Sequence, residues 1–229
     1  MKLKIAVVVF AVAFGVTALP AAAATITWNF FTLTGSPASP GYSLGTTHWT
    51  FTQAGESLTA WSYTSLGCAA PASWCAGSGD LYARNGGSAD EQGLGLTNDH
   101  YPYDEISYPY GIYINLAHAG PATDVMIGSV QGSATAGETW AIWGSNDGSS
   151  WTELGNGMGG NLVNFNSATL GNYDQLIIGD PTLTPYTNSN DILLAGIVTD
   201  AVPEPGTLAL FAAGLLGCAL FLRRRARRR

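Results

Sequence analysis

The chain has 229 residues and a formal net charge of −7, with only 11% of its side chains charged. Eight of its nine basic residues are Lys2, Lys4 and six arginines between positions 223 and 229, so residues 25–201 hold a single base, Arg84, against fifteen acids, a net charge of −14. That balance excludes recognition of nucleic acid or an anionic bilayer by this region, because phosphate contacts need lysine and arginine. It favours divalent cations or basic partners and keeps a lysine-poor domain soluble.

The first 24 residues read as a secretory signal peptide. Lys2 and Lys4 form a basic start, residues 5–19 are an apolar stretch predicted to be a signal helix, and Ala22 and Ala24 supply the A-x-A pattern before cleavage. Residues 25–201 then form one domain of ordinary size. No helical periodicity beyond two turns occurs there. Short β-rich runs are predicted at 25–31, 47–53, 57–63, 111–116, 124–130, 139–143, 151–154, 173–179 and 191–199, separated by Gly, Asn, Asp, Ser and Pro. The pattern predicts an all-β, antiparallel β-sandwich of jelly-roll type. One hairpin is explicit. Trp140-Ala141-Ile142-Trp143 runs into Gly144-Ser145-Asn146-Asp147-Gly148 and returns through Trp151, with Asn-Asp-Gly tolerating positive φ at the turn. Trp140 and Ile142 are expected to face the core, and Trp143 to cover the outer sheet face.

Cys68 and Cys75 are the only cysteines in the exported region, and an oxidising compartment makes them a candidate disulfide. Closing so short a loop would stabilise by ~2.5 kcal/mol on the loop-entropy account. Their spacing matches no zinc pattern. Residues 202–229 begin with Pro203-Glu204-Pro205, continue through the apolar run 208–222, and finish in the arginine cluster. Fifteen residues rise ~23 Å as a helix, enough for a short transmembrane span if the flanking arginines snorkel. Those arginines would hold their side in the cytoplasm. The two prolines keep the triplet extended and accessible outside the membrane.

This order of proline-flanked triplet, short span and arginine cluster resembles the PEP-CTERM sorting signal. The resemblance implies export through the inner membrane by the secretion machinery, transient anchoring, and cleavage near residues 203–206 by an exosortase. The product would reside at the cell surface or outside the cell. The segment around Trp140–Trp151 is similar to a strand pair of discoidin-like and galactose-binding-like domains. Leu81-Tyr82-Ala83-Arg84-Asn85 and Asp191-Ile192-Leu193-Leu194 resemble segments of other secreted PEP-CTERM bodies.

Three groups of residues in the body have chemistry to offer. The acids Asp80, Asp90, Glu91, Asp99, Asp104 and Glu105 provide the hard oxygen ligands that a structural Ca²⁺ takes, with their loops expected at one end of the sandwich. Tyr101, Tyr103, Tyr108 and Tyr110, in two Tyr-Pro-Tyr repeats, offer a rim for stacking sugar rings, among other aromatics that include Trp61, Trp74 and Trp151. His48, His100 and His118 lie in separate segments, and neither G-x-S-x-G nor H-E-x-x-H occurs. The expectation is a non-enzymatic envelope or extracellular-matrix protein whose body associates with exopolysaccharide. The alternatives are a secreted carbohydrate-active enzyme, which needs only two acids at the right separation, and a structural surface protein with no specific ligand.

Overall fold

The first strand of this chain alternates buried and exposed residues, and the segments 58–63 and 112–115 alternate buried with half-buried ones, the pattern of sheets that pack one face on a core. The computed structural model describes residues 24–64, 75–76, 79–97, 104–107, 110–133, 136–181, 192–201 and 214–215. The strands among them are β1 (Thr25–Asn29), β2 (Gly41–Ser43), β3 (His48–Gln53), β4 (Glu56–Thr64), β5 (Cys75–Ala76), β6 (Leu81–Asn85), β7 (Gln92–Leu96) and β8 (Tyr110–Asn115). They continue with β9 (Ala122–Val130), β10 (Gly132–Ser133), β11 (Ala136–Gly137), β12 (Thr139–Ser145), β13 (Thr152–Met158), β14 (Asn161–Asn166), β15 (Gln175–Gly179) and β16 (Leu193–Asp200).

Two antiparallel sheets result. The first has the order β14-β9-β16-β7-β6-β2, with β1 also pairing with β16; the second has the order β13-β12-β15-β8-β4-β3, with β5 on β4. Strands β10 and β11 make a separate small hairpin. Four pairings are nested in sequence: β1 with β16, β8 with β15, β9 with β14, and β12 with β13. The inner faces of both sheets close on one apolar cluster, including Trp28, Phe30, Leu58, Ile112, Ile114, Ile127, Ile142, Leu194 and Ile197. All its members, with the residues packed against them, lie between Ile26 and Ala201. The Ala201 amide donates to the Ala24 carbonyl at 2.7 Å, so the two ends of this region meet. It is a β-sandwich with a self-contained core.

Several expectations need correction. The first strand stops at Asn29, whose Oδ1 accepts the Thr32 amide at 3.0 Å and starts a one-turn helix, α1 (Phe30–Leu33), that buries Phe30. The acidic stretch from Asp80 onward is mostly sheet: Leu81 pairs with Leu96 and Asn85 with Gln92, a hairpin that extends the first sheet. Asp80 and the pair Asp90–Glu91 therefore lie at opposite ends of that hairpin, not together at one end of the sandwich. Among the described residues no helix is long and apolar enough to cross a membrane. The expected signal helix lies outside the described residues, as do residues 202–213 and 216–229 of the tail.

Candidate functional site

The outer face of the second sheet is built by the same alternation that fills the core. In β4, Leu58, Ala60 and Ser62 point inward and are buried, so Thr59, Trp61 and Tyr63 point outward. In β8, Ile112 and Ile114 enter the core, which turns Tyr113 and Asn115 out. Leu176 and Ile178 do the same in β15 and leave Gln175 and Ile177 on the outer side. Strand pairing then aligns these outward residues into rows across the sheet.

One row is aromatic. His48 stands opposite Trp61, Trp61 opposite Tyr113, Tyr113 opposite Ile177, and Ile177 opposite Trp143. Trp61 and Tyr113 meet edge to face, with ring centroids 5.0 Å apart at 62°. His48 stacks on Trp61 at 6.4 Å, while Tyr63 and Trp151 each approach Tyr113 at 6.3 Å. Burial raises the Tyr113 phenol above its ordinary pKa. The neighbouring row is polar and uncharged: Thr50 opposite Thr59, Thr59 opposite Asn115, and Asn115 opposite Gln175. The hydroxyls of Thr50 and Thr59 are 3.0 Å apart.

Over the aromatic row opens a cavity of about 370 Å³ lined by Trp61, Tyr63, Tyr113, Gly148 and Gln175, the last being the one member of the polar row that reaches it. Oε1 of Gln175 is buried and meets no hydrogen-bond partner among the described residues. A buried acceptor in that condition is uncommon in a folded protein and marks a place for an incoming donor. Half-buried aromatics around a few convergent polar groups are the usual make-up of a small-molecule site.

The hairpin between β12 and β13 closes one wall. Asp147 Oδ1 accepts the amides of Ser149 and Ser150 at 2.8 and 2.7 Å and the Ser145 hydroxyl at 3.0 Å, which holds its carboxyl well below the usual range. Asn146 fastens the turn to the segment before β15, donating to the Asn172 carbonyl and accepting the Asp174 amide, both at 2.9 Å. Gly148 sits at φ +68°, and a Cβ there would come within 3.1 Å of Gln175 Oε1. The turn chemistry read from Asn146-Asp147-Gly148 therefore brings Gly148 and Trp151 to the cleft.

Of the residues expected to stack sugars, Tyr110 packs against the core cluster, and Tyr101, Tyr103 and Tyr108 lie outside the described residues. The acids divide. Asp80 sits at the start of β6, where its amide donates to Thr97 Oγ1 at 3.0 Å. Asp90 and Glu91 form the turn before β7. The Ser129 hydroxyl is 3.2 Å from both Glu91 oxygens and 3.0 Å from Glu105 Oε1. Arg84 Nε lies 3.6 Å from Glu105, with both side chains buried. Asp104 joins this group through Tyr82; burial raises its carboxyl pKa, while Arg84 and the Tyr82 hydrogen bond pull it back down. Among the described residues no three of His, Cys, Asp and Glu converge as a metal site. Glu91 and Glu105 share the Ser129 hydroxyl, and Glu105 and Asp104 are the two acids that Arg84 answers. Asp99 lies outside the described residues, as does Cys68; the backbone of Cys75 pairs with Thr64 at the edge of β4.

The PEP-CTERM protein-sorting motif matches residues 201–228. It includes Pro203, Glu204 and Pro205 and marks the chain for export, transient anchoring in the membrane and recognition by an exosortase. No curated protein matches the chain, and no solved structure does. The likeness of the body to discoidin-like domains thus finds no structural counterpart.

Proposed function

We propose that residues 25–201 are a non-enzymatic, polysaccharide-binding envelope or matrix protein, with the sandwich wound as a jelly roll. Nested pairing of β1 with β16, β8 with β15, β9 with β14 and β12 with β13 supports the winding. The single observation that carries the binding role is the aromatic row beside the polar row. A pyranose has an apolar C–H face and a rim of hydroxyls. The rings of Trp61, Tyr63 and Tyr113 suit the face, and Thr59, Asn115 and Gln175 are placed to bond the rim. Asp147, one of the carboxylates near the cleft, is committed to backbone amides, which favours a binding role over hydrolysis at that residue. Exosortase cleavage near residues 203–206 would then free the body for the cell surface.

The test is a glycan-binding screen of residues 25–201 beside Trp61→Ala and Tyr113→Ala. Binding that falls about tenfold in each variant, the worth of one good aromatic contact, supports the reading. Binding that both variants retain unchanged refutes it. Hydrolysis of a bound glycan would reinstate the enzyme alternative.

A further inference from the structure

Charge around the cleft narrows the ligand. Residues 25–201 contain no lysine and one arginine, and that arginine is in β6 of the opposite sheet, 7% exposed and beside Glu105. No lysine or arginine side chain therefore faces the cleft. Among the described residues, the His, Asp and Glu side chains beside this face include His48 at the end of the aromatic row, Glu153 opposite Trp143, Asp147 in the wall and Asp174 beside Gln175. Three of these four are acids. The lane that would bond a ligand's hydroxyls consists of two threonines and two amides.

Resting on the polysaccharide-binding reading, we infer that the ligand is an uncharged polysaccharide, and that uronate-, sulfate- or phosphate-bearing chains are excluded. A carboxylate or sulfate needs a cation to offset its desolvation, and this cleft supplies none. The net charge of −14 adds long-range repulsion that salt screens. A chain of linked rings fits the shape: His48 and Trp61 stand on adjacent strands with their rings 24° apart, and Tyr113 on the next strand meets Trp61 edge to face. No side chain of either row closes the end of the lane at β3, where Thr50 and His48 are exposed.

The experiment measures binding of residues 25–201 to two sets of hexasaccharides: neutral ones (cello-, manno- and xylo-) and anionic ones (alginate and hyaluronan). Three variants run alongside: Trp61→Ala, Tyr113→Ala and Thr50→Lys, the last adding a cation to the polar lane. The expected result is binding of at least one neutral hexamer and none of the anionic ones, weakened about tenfold by either alanine variant. Its affinity should change less than about threefold between 0.01 and 1 M salt, while the Debye length falls from ~30 to ~3 Å. Thr50→Lys should admit an anionic hexamer that the parent rejects. Anionic binding by the parent that Trp61→Ala abolishes would overturn the charge inference and leave the cleft as the site. Binding of neither set, or binding that both alanine variants keep with an unchanged circular dichroism spectrum, would overturn the site and the inference together.

Discussion

Arg84→Met tests whether the body's one base is a structural counter-ion. Its Nε lies 3.6 Å from a Glu105 oxygen, and the two side chains are 9% and 5% exposed. At an effective dielectric of ~20, that separation gives a Coulomb attraction of about 4–5 kcal/mol. Removing one partner of a buried pair leaves the other charged in a poor medium, so a loss of about 3–5 kcal/mol is expected at pH 7. For a domain of this size that lowers the melting temperature by roughly 6–20 °C. Glu105→Gln should cost less, about 1–3 kcal/mol, because Asp104 remains near the guanidinium. The double variant should recover to within about 2 kcal/mol of the parent, since no ion is then left unmatched at that pair.

The pH dependence has a definite sign. Burial already raises the Asp104 carboxyl, and Arg84 is the largest influence opposing that rise. Without Arg84 it rises further. A raised folded pKa gives stability that is complete below the unfolded value, ~3.9, and is lost as pH climbs through the folded value. The deficit of Arg84→Met should therefore be smaller at pH 4 than at pH 7. Urea titrations of residues 25–201, followed by tryptophan fluorescence at both pH values, measure it. A loss under about 1 kcal/mol at pH 7, or a double variant as weak as Arg84→Met alone, would refute the counter-ion argument.

Three further outcomes are expected. Gly95→Ala should cost about 3 kcal/mol or abolish folding, because its Cβ would stand 1.9 Å from the Asp104 carbonyl oxygen; a parent-like urea midpoint would show that β7 and the segment at Asp104 part without penalty. Asp147→Ala should weaken glycan binding without shifting the global melt, since it unfastens the exposed turn that carries Trp151. Because the Asp147 pKa is depressed, its contribution is present above ~3.9 and is lost as pH falls through the lower folded value, so amide exchange at Ser149 and Ser150 should stay slow at pH 4 in the parent. Mass spectrometry of protein released by the native host should find peptides up to the neighbourhood of Pro203 and none from Leu208 onward; an intact 208–222 span in that material would restore a plain membrane anchor.

Strand period and turn chemistry made the sandwich legible, because each is local. Asn146-Asp147-Gly148 fixed a hairpin, and Trp140 and Ile142 entered the core while Trp143 stayed half-buried on the outer face. Strands rich in glycine were not legible. Gln92-Gly93-Leu94-Gly95-Leu96 carries weak β propensity, and its glycines serve close backbone approaches: a Cβ at Gly93 would stand 2.6 Å from the Leu194 carbonyl. The cleft was hidden for a different reason. Trp61-Ser62-Tyr63 and Ile112-Tyr113-Ile114 each show which side chains alternate outward, yet only cross-strand register places Trp61 against Tyr113. The Tyr-Pro-Tyr repeats drew attention by local density, whereas Trp61, Tyr113 and Gln175 come from positions up to 114 residues apart. Likewise, the six acids between Asp80 and Glu105 suggested a cation between carboxylates; the burial of Arg84 beside Glu105 is a tertiary fact.

The placement of charge also explains why such a body needs its tail. A surface with no lysine or exposed arginine has nothing to hold it at an anionic leaflet. Each arginine of the 223–229 cluster contributes about 1 kcal/mol of attraction to anionic lipid heads near the surface. On the proposed reading, membrane retention resides in residues that exosortase processing would remove, so that one cleavage would release the body. After it, the proposed body carries a net charge of −14 into a matrix where anionic polymers repel it and uncharged chains do not. Aromatic stacking draws its strength from apolar contact, which salt does not screen. An aromatic cleft is therefore the kind of site by which so acidic a protein can hold a glycan at any ionic strength.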